Sequence, residues 1–197
     1  MSTIEDVLPR LTNAKVFSTV DAKNGFWHLK LDEPSSLLTT FETPFGRYKW
    51  RRLAFGISPA PELFQANMHD ALKGLKGVEC ICDDVLVYGC GKTMADARAD
   101  HDRNMLALLD RCRVKGIRLS AEKLQLNRPR TVFMGHELTA AGLHPDNRKV
   151  AAIPQMPAPT DRPGVLRLLG MATYLAKFCA NFSEVTAPIR QLLKSAR

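Results

Sequence analysis

Residues 78–88 read Val-Glu-Cys-Ile-Cys-Asp-Asp-Val-Leu-Val-Tyr, two apolar, β-rich arms with two adjacent acids between them. No other stretch constrains the fold as much. Short apolar arms around a break read as a hairpin lying in the core. Burying carboxylates there without partners is costly. Asp83 and Asp84 must therefore sit at a solvent-facing turn, meet cations or bind metal. Successive strand residues point to opposite faces, so one of the two faces a cleft more directly than the other. An Asp-Asp pair alone is weak, because about 0.7 are expected by chance at average composition. A second apolar strand, 15–21, also ends on an acid, Asp21. Two acid-ended strands side by side make an oxygen-only site suited to Mg²⁺. A capped turn beside an unrelated strand-end Asp accounts for the same residues, and both readings stay open at this point.

The rest of the chain supplies elements of both kinds. Alternation predicts strands at 15–21, 26–31, 37–43 and 47–52, with turns at Asn24-Gly25 and Pro44-Phe45-Gly46. Ser58-Pro59 opens a helix whose buried face carries Phe64, Met68, Ala71, Leu72 and Leu75. A long polar helix starts near Thr93 and ends at Gly116, a good left-handed cap. Short strands are expected at 117–119, 123–126 and 131–134, and a second hairpin around 136–139. A helix at 146–153 precedes a stiff linker crowded with Pro154, Pro157, Pro159 and Pro163. Two helices follow, from 163 to about 181 and from 184 to 194. The order predicts an α+β domain over 1–144 and a small helical domain over 145–197.

Charge adds a partner class. The formal net charge is +8, yet residues 1–90 hold ten basic and eleven acidic side chains, while residues 145–197 hold eight and three. A basic C-terminal half suits a polyanion, nucleic acid being the commonest, or serves solubility alone. Apolar residues at 45% and charged residues at 24% exclude a disordered chain. No run of 18 apolar residues exists, so no membrane span and no membrane partner are expected. The N-terminus has no secretion-signal pattern, and intracellular residence is the expectation. The five cysteines lack regular spacing and read as reduced thiols; Cys80, Cys82 and Cys90 could give three zinc ligands, but no fourth follows. In 47–52, alternation places Arg47, Lys49 and Arg51 on one face and Tyr48, Trp50 and Arg52 on the other. That is a phosphate ladder backed by a packing or stacking face, or a charged edge strand.

These residues carry a family resemblance. Phe17-Ser-Thr-Val-Asp21-Ala-Lys-Asn-Gly25-Phe26 resembles motif A of reverse transcriptases, and Leu53-Ala-Phe-Gly56-Ile-Ser-Pro-Ala-Pro61-Glu-Leu-Phe-Gln65 resembles motif B. Ile81-Cys82-Asp83-Asp84 resembles the Tyr-x-Asp-Asp box. Val132-Phe-Met-Gly135-His136 and Gly142-Leu-His-Pro-Asp146-Asn-Arg-Lys149-Val resemble the stretch of gypsy-like retrotransposon polymerases that includes the primer grip. Leu166-Arg-Leu-Leu-Gly170-Met-Ala-Thr-Tyr174, Lys177-Phe and Phe182 resemble the thumb of that group. The match runs through nearly the whole chain, in order.

The resemblance implies a polymerase palm with a partial fingers hairpin at about 27–56 and a helical thumb. Asp21, Asp83 and Asp84 are then the catalytic carboxylates. They hold two Mg²⁺ ions, with Mn²⁺ as an alternative, helped by the backbone of Val20. Ala22, Phe26 as a steric gate, Phe55, Gly56 and Gln65 line the nucleotide pocket. Met134, Gly135 and His136 belong to the primer grip; independently of the resemblance, the charge pattern offers Arg47, Lys49, Arg51, Arg167 and Lys177 as nucleic-acid contacts. The implied partners are an RNA or DNA template with its primer, and dNTPs. The chain departs from the pattern at Ile81, where Tyr is usual, and at Ala54, where Pro is usual. Family members also carry a fingers segment before motif A and, in the parent polyprotein, ribonuclease H. Weak activity in isolation is expected, and a non-catalytic nucleic-acid-binding remnant is the competing reading.

Overall fold

The computed structural model describes residues 3–195; residues 1, 2, 196 and 197 of the two expected domains lie outside the described residues. The elements are α1 (Ile4–Val7), β1 (Ala14–Asp21), α2 (Glu33–Leu38), β2 (Phe41–Thr43), β3 (Gly46–Tyr48), α3 (Ala60–Leu72), β4 (Val78–Ile81), β5 (Asp84–Cys90), α4 (Met94–Lys115), β6 (Gln125–Arg128), β7 (Arg130–Phe133), β8 (His136–Thr139), β9 (Gly142–Pro145), α5 (Asn147–Ala152), α6 (Arg162–Thr173) and α7 (Phe182–Ser195). The fold is α+β, as the sequence predicts. No helix among the described residues is long and apolar enough to cross a membrane.

The central sheet has the order β4-β5-β1-β6, with antiparallel pairing throughout. Val85, Leu86, Val87 and Tyr88 of β5 are all buried, so protein covers both faces of this strand. That is why the arm reads as an unbroken apolar run. Helices α3 and α4 pack on the sheet. Phe64, Met68 and Leu72 of α3 meet Met105, Leu108 and Cys112 of α4 over Val20, Val78, Val85 and Val87. Thr93 caps α4, its hydroxyl accepting from the Asp96 N–H (3.1 Å) while the Asp96 carboxylate accepts from the Thr93 N–H (3.0 Å). Gly116 ends the helix in the left-handed conformation.

One buried string has no counterpart in the sequence reading. Ser18 Oγ lies 2.7 Å from His101 Nε2, and His101 Nδ1 lies 3.0 Å from Asp102 Oδ1. Ser18 also accepts from the Asn127 N–H. The spacing is that of a hydrolytic triad, but Ser18 and His101 are both 0% exposed. No substrate reaches them, and the string instead fastens α4 and β6 to β1.

Several predicted strands take another form. Residues 26–31 are not a strand: Gly25–His28 is a 3₁₀ turn entered from left-handed Asn24, and only Lys30 bridges to Arg52. Most of 37–43 is replaced by α2 and the short β2. Asp32 accepts from the Ser35 N–H and Pro34 sits in the first turn, a helix start that the alternating pattern masks. Strand β3 ends at Tyr48, so the alternation through Arg52 has no strand beneath it. Residues 117–119 contribute one bridge, Leu119 to Ala22, and the strand expected at 123–126 lies at Gln125–Arg128. The helix expected to reach about 181 ends at Thr173, followed by a 3₁₀ turn, Ala176–Phe178.

The chain divides into two compact units. The first runs through Met134 and takes in Leu138–Gly142; the second takes in Gly135–Glu137 and the chain from Leu143 onward. In the second unit α6 packs on α7.

Candidate active site

Two neighbouring strands deliver the acids. Asp21 at the end of β1 stands directly opposite Asp84 at the start of β5, and Ile81 of β4 is the partner of Asp84 on its other side. Directly opposed residues share a face, with Cβ atoms about 4.5–5.5 Å apart, and like charges so placed repel. Cys82 and Asp83 form the two-residue turn between β4 and β5, with Cys82 left-handed at φ 53. The Ala22 N–H donates to the Asp83 carbonyl (2.9 Å), which ties this turn to the end of β1. The Ser120 N–H donates to the Asp21 carbonyl (2.8 Å), and the Lys23 N–H to that of Arg118 (2.9 Å).

Gln65 of α3 holds the turn from below. Its amide N–H donates to the Cys80 carbonyl (3.1 Å), and its carbonyl accepts from the Cys82 N–H. Gln65 is buried. Both ends of its amide are engaged inside the fold, where they position the turn that carries Asp83. Gln65→Leu strands one buried donor and one buried acceptor, so a loss of about 2–4 kcal/mol is expected in urea unfolding. A loss below ~0.5 kcal/mol would contradict this role.

The electrostatics are those of a site short of positive charge. Asp83 Oδ1 is buried and has no hydrogen-bond partner among the described residues. Burial first, and the Asp21 charge second, hold the Asp83 carboxyl above the ordinary carboxylate range. The Asp84 carboxyl is raised by desolvation, then by the charges of Asp21 and Asp83. Asp84 as a residue is exposed, so solvent screens this shift. Among the described residues the one cation bonded to the cluster is Lys123, whose ammonium lies 2.8 Å from Asp21 Oδ2. That bond raises the Lys123 pKa, and the charges of all three acids add to it.

A divalent cation fits these donors. They are hard carboxylate oxygens, one of them buried and unpartnered, and their charges repel one another. Among the described residues no three His, Cys, Asp or Glu side chains are spaced to grip an ion, and Asp21 is paired with Lys123.

The remaining predicted residues are distributed as follows. Val20 and Ala22 are buried beside Asp21. The Ala22 N–H is already taken by Asp83, so it is not a free nucleotide donor. Phe26 is half-buried, its ring 5.1 Å from that of Phe55 and 5.5 Å from that of Phe64. Phe55 is exposed, and Gly56 adopts φ +83 with open space around it. Ile81 is buried, so this position packs inward in this chain.

Arg47 and Arg51 are exposed and carry no ion pair among the described residues, whereas Lys49 is paired with Glu33. Arg51 also lines a recess of about 400 Å³ with Lys30, Arg52, Glu33 and Ser36. Beside these cations runs a row of rings. Tyr48 meets Phe41, Phe41 meets Trp50, Trp50 meets Trp27, and Trp27 meets Phe55, with centroids 5.9–6.4 Å apart.

In the second unit, Gly135 and His136 form a separate cluster. The Tyr174 hydroxyl donates to the Gly135 carbonyl and accepts from the Asp146 N–H, and the His136 ring lies 5.2 Å from that of Tyr174. Lys149 sits 4.3 Å over the Tyr174 ring. Met134 precedes this cluster in the β7–β8 turn, and Arg167 and Lys177 are exposed.

Sequence reasoning names Asp21, Asp83 and Asp84 but misses Lys123. A lysine in a polar stretch gives no local signal of a partner 102 residues away.

Known proteins place this geometry in a family. The family model described as reverse transcriptase (RNA-dependent DNA polymerase) matches residues 1–138. The chain is 33% identical over 97% of its length to the retrovirus-related Pol polyprotein from transposon 412 of Drosophila melanogaster, spanning 15% of that protein. It is 30% identical over 96% of its length to the enzymatic polyprotein of Cauliflower mosaic virus (strain NY8153), spanning 27% of it. Among solved structures it superposes, with a TM-score of 0.89 and 25% identity, on the foamy viral protease-reverse transcriptase in complex with double-stranded DNA. That match covers 100% of this chain and 34% of the viral one. The same viral protein bound to an RNA/DNA hybrid matches with a TM-score of 0.81 and 26% identity. The chain belongs to the reverse transcriptase (RNA-directed DNA polymerase) family.

Proposed function

We propose that this chain is the palm and thumb segment of a retrotransposon polymerase that adds dNTPs to a primer on an RNA or DNA template. The observation that carries this reading is the placement of Asp21 opposite Asp84, with the unpartnered Asp83 Oδ1 beside them. Asp21, Asp83 and Asp84, with the Val20 backbone, would hold two Mg²⁺ or Mn²⁺ ions. Such ions, when bound, stabilise charge on the attacking and leaving oxygens of an in-line displacement. The protein supplies position and charge, and the reaction needs no nucleophilic side chain. Phe26, braced by Phe55 and Phe64, would wall the sugar pocket, and Gly56 leaves room for close approach. Arg47 and Arg51, with the aromatic row, suit a nucleic-acid strand through phosphate pairing and base stacking. Gly135, His136, Arg167 and Lys177 of the second unit would meet the primer–template. The foamy viral reverse transcriptase, bound to double-stranded DNA in one complex and to an RNA/DNA hybrid in another, supports such a partner.

Closing over a triphosphate needs further cations. Among the described residues the two basic side chains before Ser18 are engaged, Arg10 on Glu79 (2.8 Å) and Lys15 on the Lys92 carbonyl. We therefore expect weak primer extension by the 197-residue chain. A fingers segment from a related polymerase, joined in cis, should raise it at least ~100-fold, because a ~1 Å misplacement costs about that much. If the fused protein folds and binds primer–template yet extends nothing, the acids are vestigial and the chain is a binding remnant.

A further inference from the structure

We propose that Lys123 is the built-in counter-ion of the acid cluster: its ammonium neutralises Asp21 in the metal-free protein and gives that carboxylate up when a divalent ion enters. The inference rests on reading Asp21, Asp83 and Asp84 as the ion-holding acids.

Placement supports it first. Lys123 follows a segment laced to the end of β1 by backbone hydrogen bonds. Arg118 accepts from Lys23, Leu119 bridges to Ala22, and Ser120 donates to Asp21 itself. The ammonium is thereby delivered 2.8 Å from Asp21 Oδ2, and it is the one cation among the described residues that bonds an acid of the cluster.

Charge supports it second. Asp21 and Asp84 are opposed like charges on adjacent strands, and Asp83 Oδ1 has no donor. Among the described residues no other cation bonds these acids to offset the repulsion. The lysine is also easy to dislodge. Its side chain is 66% exposed against 19% for Asp21, and exposed ion pairs are weak. A flexible four-carbon stem carrying a compact charge can swing into water at little cost. The result is a placeholder that keeps the Asp21 rotamer set and the hairpin in register, yet yields to an ion of higher charge.

The test uses Mn²⁺ alone, titrated into the full chain without nucleic acid and followed by loss of the free-ion electron paramagnetic resonance signal. Melting is measured in parallel with chelator and with saturating Mn²⁺. Lys123→Gln should bind the first Mn²⁺ about two- to fivefold tighter than the parent. It should melt lower in chelator and lose that deficit in saturating Mn²⁺. Lys123→Arg, which keeps a cation, should follow the parent, and Lys123→Met, which keeps the stem, should follow Gln. Equal Mn²⁺ affinity and equal melting in chelator for parent, Gln and Met would overturn the counter-ion role and leave the ion-holding acids standing. Weaker binding by Lys123→Gln would overturn it too. Absence of Mn²⁺ binding in the parent and every variant would overturn both readings together.

Discussion

Asp83→Asn is expected to lower nucleotide addition at least ~1000-fold while the protein melts no lower than its parent in chelator. Loss of one carboxylate from a two-ion site forfeits several kcal/mol of charge stabilisation, and ~1.4 kcal/mol is a factor of ten. The stability half follows from the direction of the Asp83 shift. Burial and the Asp21 charge raise its carboxyl above the ordinary value of 3.8. An acid raised on folding favours the folded state below its ordinary pKa, and this contribution is lost as pH rises through the raised value. At neutral pH the charged Asp83 therefore opposes folding in the metal-free protein, and Asn removes that opposition. Each 1 kcal/mol gained would lift Tm by about 2–4 °C in a chain of this size. A drop in both activity and Tm would mark Asp83 as a structural residue.

Gly25→Ala should damage the site through space alone. Gly25 is buried, and an added Cβ would lie 2.7 Å from Asp83 Oδ1 and 2.8 Å from Cζ of Phe64. Neither neighbour yields cheaply. Phe64 is a core ring, and Asp83 is held by the turn that Gln65 and Ala22 fasten. Overpacking of this kind costs about 1–3 kcal/mol, and moving Asp83 by ~1 Å costs about a hundredfold in rate. Urea unfolding and single-turnover kinetics on the same preparation separate the two effects. Activity within twofold of the parent would mean that the carboxylate relaxes without consequence.

The legible and illegible parts of this chain differ by the range of their causes. Helix α4 is legible because its start, Thr93 with Asp96, and its stop, Gly116, are local devices. The acids are legible because they interrupt or end runs that are otherwise mostly apolar. Residues 26–43 mislead because aromatic alternation mimics a strand, while the Asp32 cap and Pro34 decide for a helix. Gln65 sits next to Phe64 on a helix face and reads as a pocket residue, but both ends of its amide are claimed by a hairpin 15 and 17 residues away. Lys123, the Ser18–His101 string and the contact of Gly25 with Asp83 are set by tertiary structure alone, and a pattern of residue types along one segment carries no trace of them.

The central claim is that Asp21, Asp83 and Asp84 are a working catalytic set. The most direct measurement is single-turnover addition of one dNTP to a primer–template by the chain joined to a fingers segment, with Mg²⁺ and with chelator, beside the Asp83→Asn form. The account predicts a product dictated by the template, dependent on Mg²⁺ and at least ~1000-fold slower in Asp83→Asn. Equal rates in the two proteins, or no template-directed product from a folded protein that binds primer–template, would contradict it.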